Sequence, residues 1–307
     1  MKLTSTVIMA AFNGSKYIYD QLESIANQKL RPTKVIIRDD CSTDDTETIA
    51  KNFIFEHNLQ DSWDFKVNSK RKDWRDNFMD MVDQTDTDVV FFSDQDDLWN
   101  ENKISESMKC FSLHDDIEVL VSDYSFLPVD QKILPKDEID EIDDGDICQV
   151  IPDLHNLIIR RDGCSMAFRK SIIGPLEEVF AGIRSDSNGL DQAHDQATWL
   201  AGLMRESLYH VCQPLMVHRA HLDSTWQTVR KNNRSLFVGL PEEGPNYIVF
   251  LKSIQNFLLH NYSYSRFSEQ AQQKLEKVIA DEIDLFTKSG FDFNLYLSNA
   301  ETDFSLG

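Results

Sequence analysis

The first hundred residues alternate short β-type apolar runs with segments of helical periodicity, joined by short connections. Thr6–Phe12 is a continuous apolar run, and Lys16–Asn27 follows with Tyr17, Ile18, Leu22 and Ile25 at helical spacing. Lys34–Arg38, Trp63–Val67 and Asp88–Ser93 read as further strands, and Asp45–Glu56 and Arg75–Asp83 as further helices. This alternation predicts an α/β fold with a mostly parallel central sheet flanked by helices. Ligands of such sheets lie beyond the carboxyl ends of the strands. Three of the four strands run into polar clusters there: Asn13-Gly14, Asp39-Asp40 and Asp94–Asp97.

The remainder is less regular. Seven of the ten residues in Asp137–Asp146 are acidic, which reads as a solvated loop. A strand is expected over Cys164–Phe168, a helix near Asp195–Met204 and an extended segment over Pro214–His218. From Asn246 the pattern is mainly helical, with Tyr247, Leu251, Ile254 and Leu258 at helical spacing and a second helix over Phe267–Phe286. The expected division is one large domain over 1–228, in two halves (1–100 and 101–228), with a helical C-terminal region over 229–307.

Composition narrows the partners. The net charge is −21, which disfavours nucleic acid and anionic membrane surfaces as electrostatic partners. No apolar run is long enough to span a membrane, and no signal peptide is expected at the N-terminus. The five cysteines are odd in number and never spaced CxxC. They read as reduced thiols of a cytosolic protein, neither disulfides nor a zinc site.

No GxGxxG turn follows the first strand, and no GxxxxGK[ST] loop occurs, so any phosphate must be neutralised by other means. The strongest local signal is Ser93-Asp94-Gln95-Asp96-Asp97-Leu98-Trp99, where an apolar strand runs into three aspartates within four residues. Crowded carboxylates raise one another's pKa unless a cation sits among them, and hard oxygen ligands suit Mg²⁺ or Mn²⁺. A turn with a helix cap explains one aspartate but not three. In Asp39-Asp40-Cys41-Ser42-Thr43-Asp44, capping explains Ser42–Asp44. A carboxylate at that strand end can instead accept from a base N–H or a ribose hydroxyl.

These motifs, in this order, resemble family 2 glycosyltransferases with the GT-A fold. The likeness is strongest to the bacterial branch that includes rhamnosyl- and galactosyltransferases of surface polysaccharides. It rests on Ala11–Ile18, Gln21–Ile25 with Gln28, Asp39–Asp44, Asn77-Phe78, Ser93–Trp99, Gly163–Phe168 and His194-Asp195, and covers roughly residues 4 to 222. The resemblance implies a nucleotide-sugar pocket of Ala11, Asn13, Asp39, Asp40, Asp94 and Gln95. It implies a divalent metal (Mn²⁺ or Mg²⁺) on Asp96 and His221, and diphosphate or acceptor contacts from Asp97, Trp99, His194 and Arg219. Asp195 is implied as catalytic base, although an N-cap aspartate is the competing reading on sequence alone. His221 can equally be a hydrogen-bonded strand histidine. Cys41 stands where a glycine is usual, His218 replaces a common aromatic, and Leu222–Trp226 departs from the usual Asn/Gly-rich pattern.

The implied reaction is inverting transfer of a hexose or deoxyhexose from UDP-hexose or dTDP-rhamnose to a glycan hydroxyl. The acceptor is an oligosaccharide or a lipid- or protein-linked glycan, and the C-terminal helices offer a homodimer surface. The place expected is the cytoplasm, reaching the inner face of a membrane through acceptor or partners. The competing classes are a glycoside hydrolase, which also uses paired carboxylates, and a non-catalytic carbohydrate-binding or scaffold protein on the same fold. Among the basic residues, Lys66, Lys70, Arg71, Lys72 and Arg75 read as a solvated face, and Arg230, Lys231 and Arg234 as a surface loop.

Overall fold

The central strand β1 (Ser5–Ala11) is buried along almost its whole length, as a parallel strand covered on both faces must be. The computed structural model describes residues 2–128, 146–159, 161–186, 193–221, 224, 245–260, 267–290 and 292. The expected acidic loop (apart from Asp146), Leu222-Asp223, Thr225-Trp226 and the basic cluster at 230–234 lie outside them.

Helix α1 (Ile18–Ala26) follows β1 and buries Ile18, Leu22 and Ile25 on one face. Then come β2 (Lys34–Asp39), α2 (Thr46–Glu56), β3 (Trp63–Val67), α3 (Trp74–Val82) and β4 (Val89–Asp94). The two-residue strand β5 (Leu98–Trp99) and α4 (Lys103–Leu113) precede β6 (Val119–Pro128) and β7 (Ile147–Gln149). The chain continues with β8 (Met166–Arg169), α5 (Ile173–Asp186), α6 (His194–Met204), β9 (Leu208–Ala220), α7 (Pro245–His260) and α8 (Glu269–Lys288).

The described residues form one nine-stranded sheet, ordered β3-β2-β1-β4-β8-β6-β9-β5, with β7 paired to β9. Strands β1–β4 run parallel. The antiparallel β8 then separates β4 from the parallel pair β6/β9. The four early strands and three early helices match the expected pattern within a residue or two. The expected strand at Cys164 starts at Met166, because Gly163–Ser165 forms a 3₁₀ turn held by the Ser165 hydroxyl donating to the Asp162 carbonyl at 2.8 Å. The extended segment expected at Pro214–His218 is the second half of the longer β9.

The chain divides into two compact units. The first comprises residues 1–150, 160–174 and 207–222, and holds the whole sheet; the second comprises 151–159, 175–206 and 223–307. The core of the first unit is apolar, from Val7 and Ile37 to Phe91, Phe111 and Met216. The second unit is helical in its described part. In it, a Cβ at Gly182 of α5 would collide with the Phe257 ring of α7, so the glycine permits their close approach. Tyr247 donates its hydroxyl to Glu282 at 2.7 Å across α7 and α8. No helix of the described residues is long and apolar enough to cross a membrane.

Candidate active site

Register alone gathers the polar ends of β1, β2 and β4. Ala11 lies opposite Asp39, and Ala10 opposite Asp94, so Asn13, Asp40 and the Asp94–Asp97 turn leave the sheet along the same edge. On the other side β5 runs antiparallel to β9 with Leu98 opposite Val217. Extending that register by one residue brings Asp97 to His218.

The Asn13 turn is tied by side chains. Asn13 has φ +48°, and its carbonyl Oδ1 accepts from the Thr43 N–H at 2.8 Å. The Asn13 N–H donates to Ser42 Oγ at 2.8 Å, and the Gly14 N–H to Thr46 Oγ1 at 2.7 Å. Gln95 turns inward: its amide accepts from the Phe12 N–H and donates to the Phe12 carbonyl, both at 2.9 Å, imitating one more strand partner for β1. A Cβ at Gly14 would collide with that amide, so this position admits only glycine without rearrangement. Behind the turn, the buried Gln21 amide bridges Ser24 and Ser93 hydroxyls.

Asp39 and Asp40 are both buried. Asp39 accepts from the Ser42 N–H and hydroxyl, and burial pushes its carboxyl above the ordinary range despite those bonds. Asp40 organises the next loop, accepting from Asn68 Nδ2 at 2.9 Å and from the Lys72 and Asp73 N–H groups at 2.8 and 2.9 Å. The Asp40 N–H donates to the Ala11 carbonyl at 2.7 Å. Cys41, between them and Ser42, has φ +64°, the left-handed conformation that makes glycine the easier choice there. Its thiol donates to the Asn68 carbonyl at 3.3 Å.

The acidic turn is the centre of the site. Oxygens of Asp94, Asp96 and Asp97 lie within 4.8 Å of one another. Burial, with Asp97 and Asp96 alongside, pushes the Asp94 carboxyl well above its ordinary range. Asp96 Oδ2 accepts from His221 Nε2 at 2.8 Å. Asp97 is fully buried; its Oδ1 accepts from His218 Nδ1 at 2.9 Å and from the Arg219 N–H at 3.2 Å, while its Oδ2 has no partner. Burial alone would lower the His218 imidazole, but Asp97 outweighs it and lifts His218 to about 10. An unpartnered buried carboxylate oxygen beside two further carboxylates fits a hard divalent cation. His221 is buried, with Nε2 on Asp96 and Nδ1 unpartnered.

Arg219 turns away from this cluster, with its guanidinium on Asp20 at 2.7 Å and over the Tyr17 ring. Trp99 is buried, near the Phe91 ring and under the Lys103 ammonium. His194 and Asp195 open α6 in the second unit. The N-cap is Ala193, and Asp195, half-buried, accepts only the Gln196 N–H at 2.8 Å among described bonds, so capping does not occupy it fully. Helix α6 is anchored by Gln196, which accepts from the Ile159 N–H and donates to the Leu157 carbonyl, and by Trp199 Nε1 donating to the Asn156 carbonyl.

Sequence reasoning noted His218 only as a departure from the family pattern and did not single out Lys103. The first lies near the carboxyl end of β9, and only the pairing of β9 with β5 sets it on Asp97. Lys103 is buried at the start of α4 and donates to the Cys164 carbonyl at 3.2 Å.

Comparison with known proteins bears on the family and the fold. Residues 6–174 match the profile of Glycosyl transferase family 2. The dTDP-rhamnosyl transferase RfbG of Shigella flexneri is 36% identical over 106 residues, which are 33% of this chain and 36% of that protein. The chain therefore spans about a third of the length of that relative. The S. aureus TarS 1–349 structure in complex with UDP-GlcNAc superposes with a TM-score of 0.57 at 15% identity, over 99% of this chain and 92% of that one. The mannosyltransferase PcManGT of Pyrobaculum calidifontis, in complex with GDP-Man and Mn²⁺, gives 0.55 at 12% identity, over 100% and 76%. At such identities the two structures speak for the fold. The chain belongs to glycosyl transferase family 2 and has its GT-A fold.

Proposed function

We propose that this chain transfers a sugar from a nucleoside-diphosphate sugar to a glycan hydroxyl, with inversion at the anomeric carbon. The observation that carries the reading is the acidic turn after β4, with an unpartnered buried oxygen on Asp97 and His221 seated on Asp96. Asp96 and His221 would hold Mn²⁺ or Mg²⁺, with the Asp94 and Asp97 carboxylates alongside. When bound there, the ion supplies positive charge that compensates the departing diphosphate. The Asn13 turn and the Asp39/Asp40 strand end border the nucleoside, and Gln95 keeps the first loop in register with the metal turn.

An acceptor hydroxyl is a weak nucleophile, so a carboxylate must take its proton as it attacks. Asp195 is the base in this reading, and a single displacement with such a base inverts the sugar carbon. The RfbG likeness favours dTDP-rhamnose as the first donor to try, with UDP-hexoses as the alternative. The acceptor class is a bacterial surface glycan, lipid-linked or protein-linked, met on the cytoplasmic side. The division at about residue 228 into catalytic and C-terminal regions, and self-association through the C-terminal helices, belong to the same proposal.

Replacing Asp195→Asn lowers kcat/KM for transfer by about 10²–10⁴-fold while circular dichroism stays unchanged. Full activity in that variant would remove Asp195 from the mechanism.

A further inference from the structure

A second cluster lies on the same strand as His218, toward its opposite end. β7 pairs antiparallel with β9, with Cys148 directly opposite His210. Side chains alternate along a strand, so Cys148, His210 and Cys212 share one face. Their ligand atoms all lie within 4.8 Å of one another. His210 and Cys212 are buried, and Cys148 is half-buried.

Two details go beyond proximity. Cys212 Sγ stands 3.5 Å from His210 Nδ1. A tetrahedral zinc ion with its usual Zn–S and Zn–N bonds holds such a pair of donors about 3.6 Å apart. The other ring nitrogen, Nε2, donates to Asp123 Oδ1 at 3.0 Å, and that carboxylate is also gripped by Arg161 at 2.6 Å. With Asp123 paired to the Arg161 guanidinium, the imidazole proton on Nε2 faces a carboxylate and the Nδ1 lone pair faces the thiols. Orientation of a ligating histidine by a carboxylate is the usual outer arrangement of zinc sites.

The geometry points to a zinc-type metal site held by Cys148 Sγ, His210 Nδ1 and Cys212 Sγ, with the fourth position left to water. This departs from the expectation, drawn from the missing CxxC spacing, that the cysteines hold no zinc. A free cysteine carries its proton at neutral pH. Metal capture therefore releases two thiol protons, and the resulting dithiolate and cation neutralise one another. Bound there, the ion ties a three-residue edge strand to the strand that delivers His218. Cys212 and His218 are six positions apart on β9, at most about 20 Å along the strand, and the thiol cluster shares no residue with the carboxylate cluster.

Titrating the full-length, reduced, metal-free chain with Co²⁺ tests this optically. The expected result is a thiolate-to-cobalt charge-transfer band with the d–d absorption of a tetrahedral site, saturating stoichiometrically and abolished by competing Zn²⁺. The band is lost in the Cys148→Ser/Cys212→Ser variant and kept in Cys164→Ser and in Asp96→Ala. Absence of the band from the wild-type chain, its survival in the double variant, or a Cys148–Cys212 disulfide in the freshly purified protein would overturn the proposal.

Discussion

The two ends of β9 present opposite coordination chemistry. Near its carboxyl end, His218 and His221 meet the carboxylates of Asp97 and Asp96, an oxygen-rich cluster with one buried oxygen unpartnered. Near its start, His210 meets two thiols. Oxygen donors select Mg²⁺ and Mn²⁺, ions that exchange and keep sites for phosphate oxygens, whereas thiolates select zinc and hold it. One strand thus carries both proposed sites, one for a cation that would work with substrate and one for a cation that would fasten the sheet edge.

The largest effect expected from breaking this contrast is at His218. His218→Leu leaves the Asp97 carboxylate buried without its charged partner, which costs about 3–5 kcal/mol. Urea unfolding of chelator-treated protein reads this loss, and the cobalt spectrum of the thiol site stays unaltered. A variant as stable as the wild type would show that burial of Asp97 does not depend on its His218 partner.

A smaller effect sharpens the other end. Asp123→Asn removes the carboxylate that fixes the His210 tautomer and weakens Zn²⁺ binding by about 10–100-fold, with transfer activity unchanged. Equal zinc affinity in wild type and variant, measured by competition with a chromophoric chelator, would show that Asp123 serves only Arg161.

The smallest expected effect concerns Lys103, whose ammonium is lowered by burial from 10.5 to about 8. Between those values the unfolded chain binds more protons than the folded one, so this residue makes stability rise with pH from about 8 to 10. The Lys103→Met variant lacks that rise when its unfolding curves are compared with wild type. Parallel curves would place the ammonium in contact with solvent.

The sequence made some of this legible and hid the rest for physical reasons. β1 and β4 show as continuous apolar runs because parallel strands are covered on both faces, and α1 shows because its buried residues fall at helical spacing. The acidic turn was visible because three aspartates follow a buried strand. Helix α4 was missed, although Ile104, Met108 and Phe111 keep helical spacing, because a buried lysine and interspersed serines blur its apolar face. Strand β6 was missed because its pairing shifts register at Ser122/Asp123 and Asp123/Ser125, which breaks the period of two. The His210-x-Cys212 spacing places two donors on one strand face. Its third member, Cys148, comes from a distant strand, so only pairing reveals the set.

Donor binding measured by calorimetry tests the central claim most directly. With dTDP-rhamnose and UDP-hexoses as titrants, one donor binds the wild-type chain in the presence of Mn²⁺. That binding is lost on adding a chelator and in Asp96→Ala, while the folded state and the thiol site persist. Donor binding that is equally tight without the ion, or that survives Asp96→Ala, would contradict a metal-held diphosphate at the β4 turn.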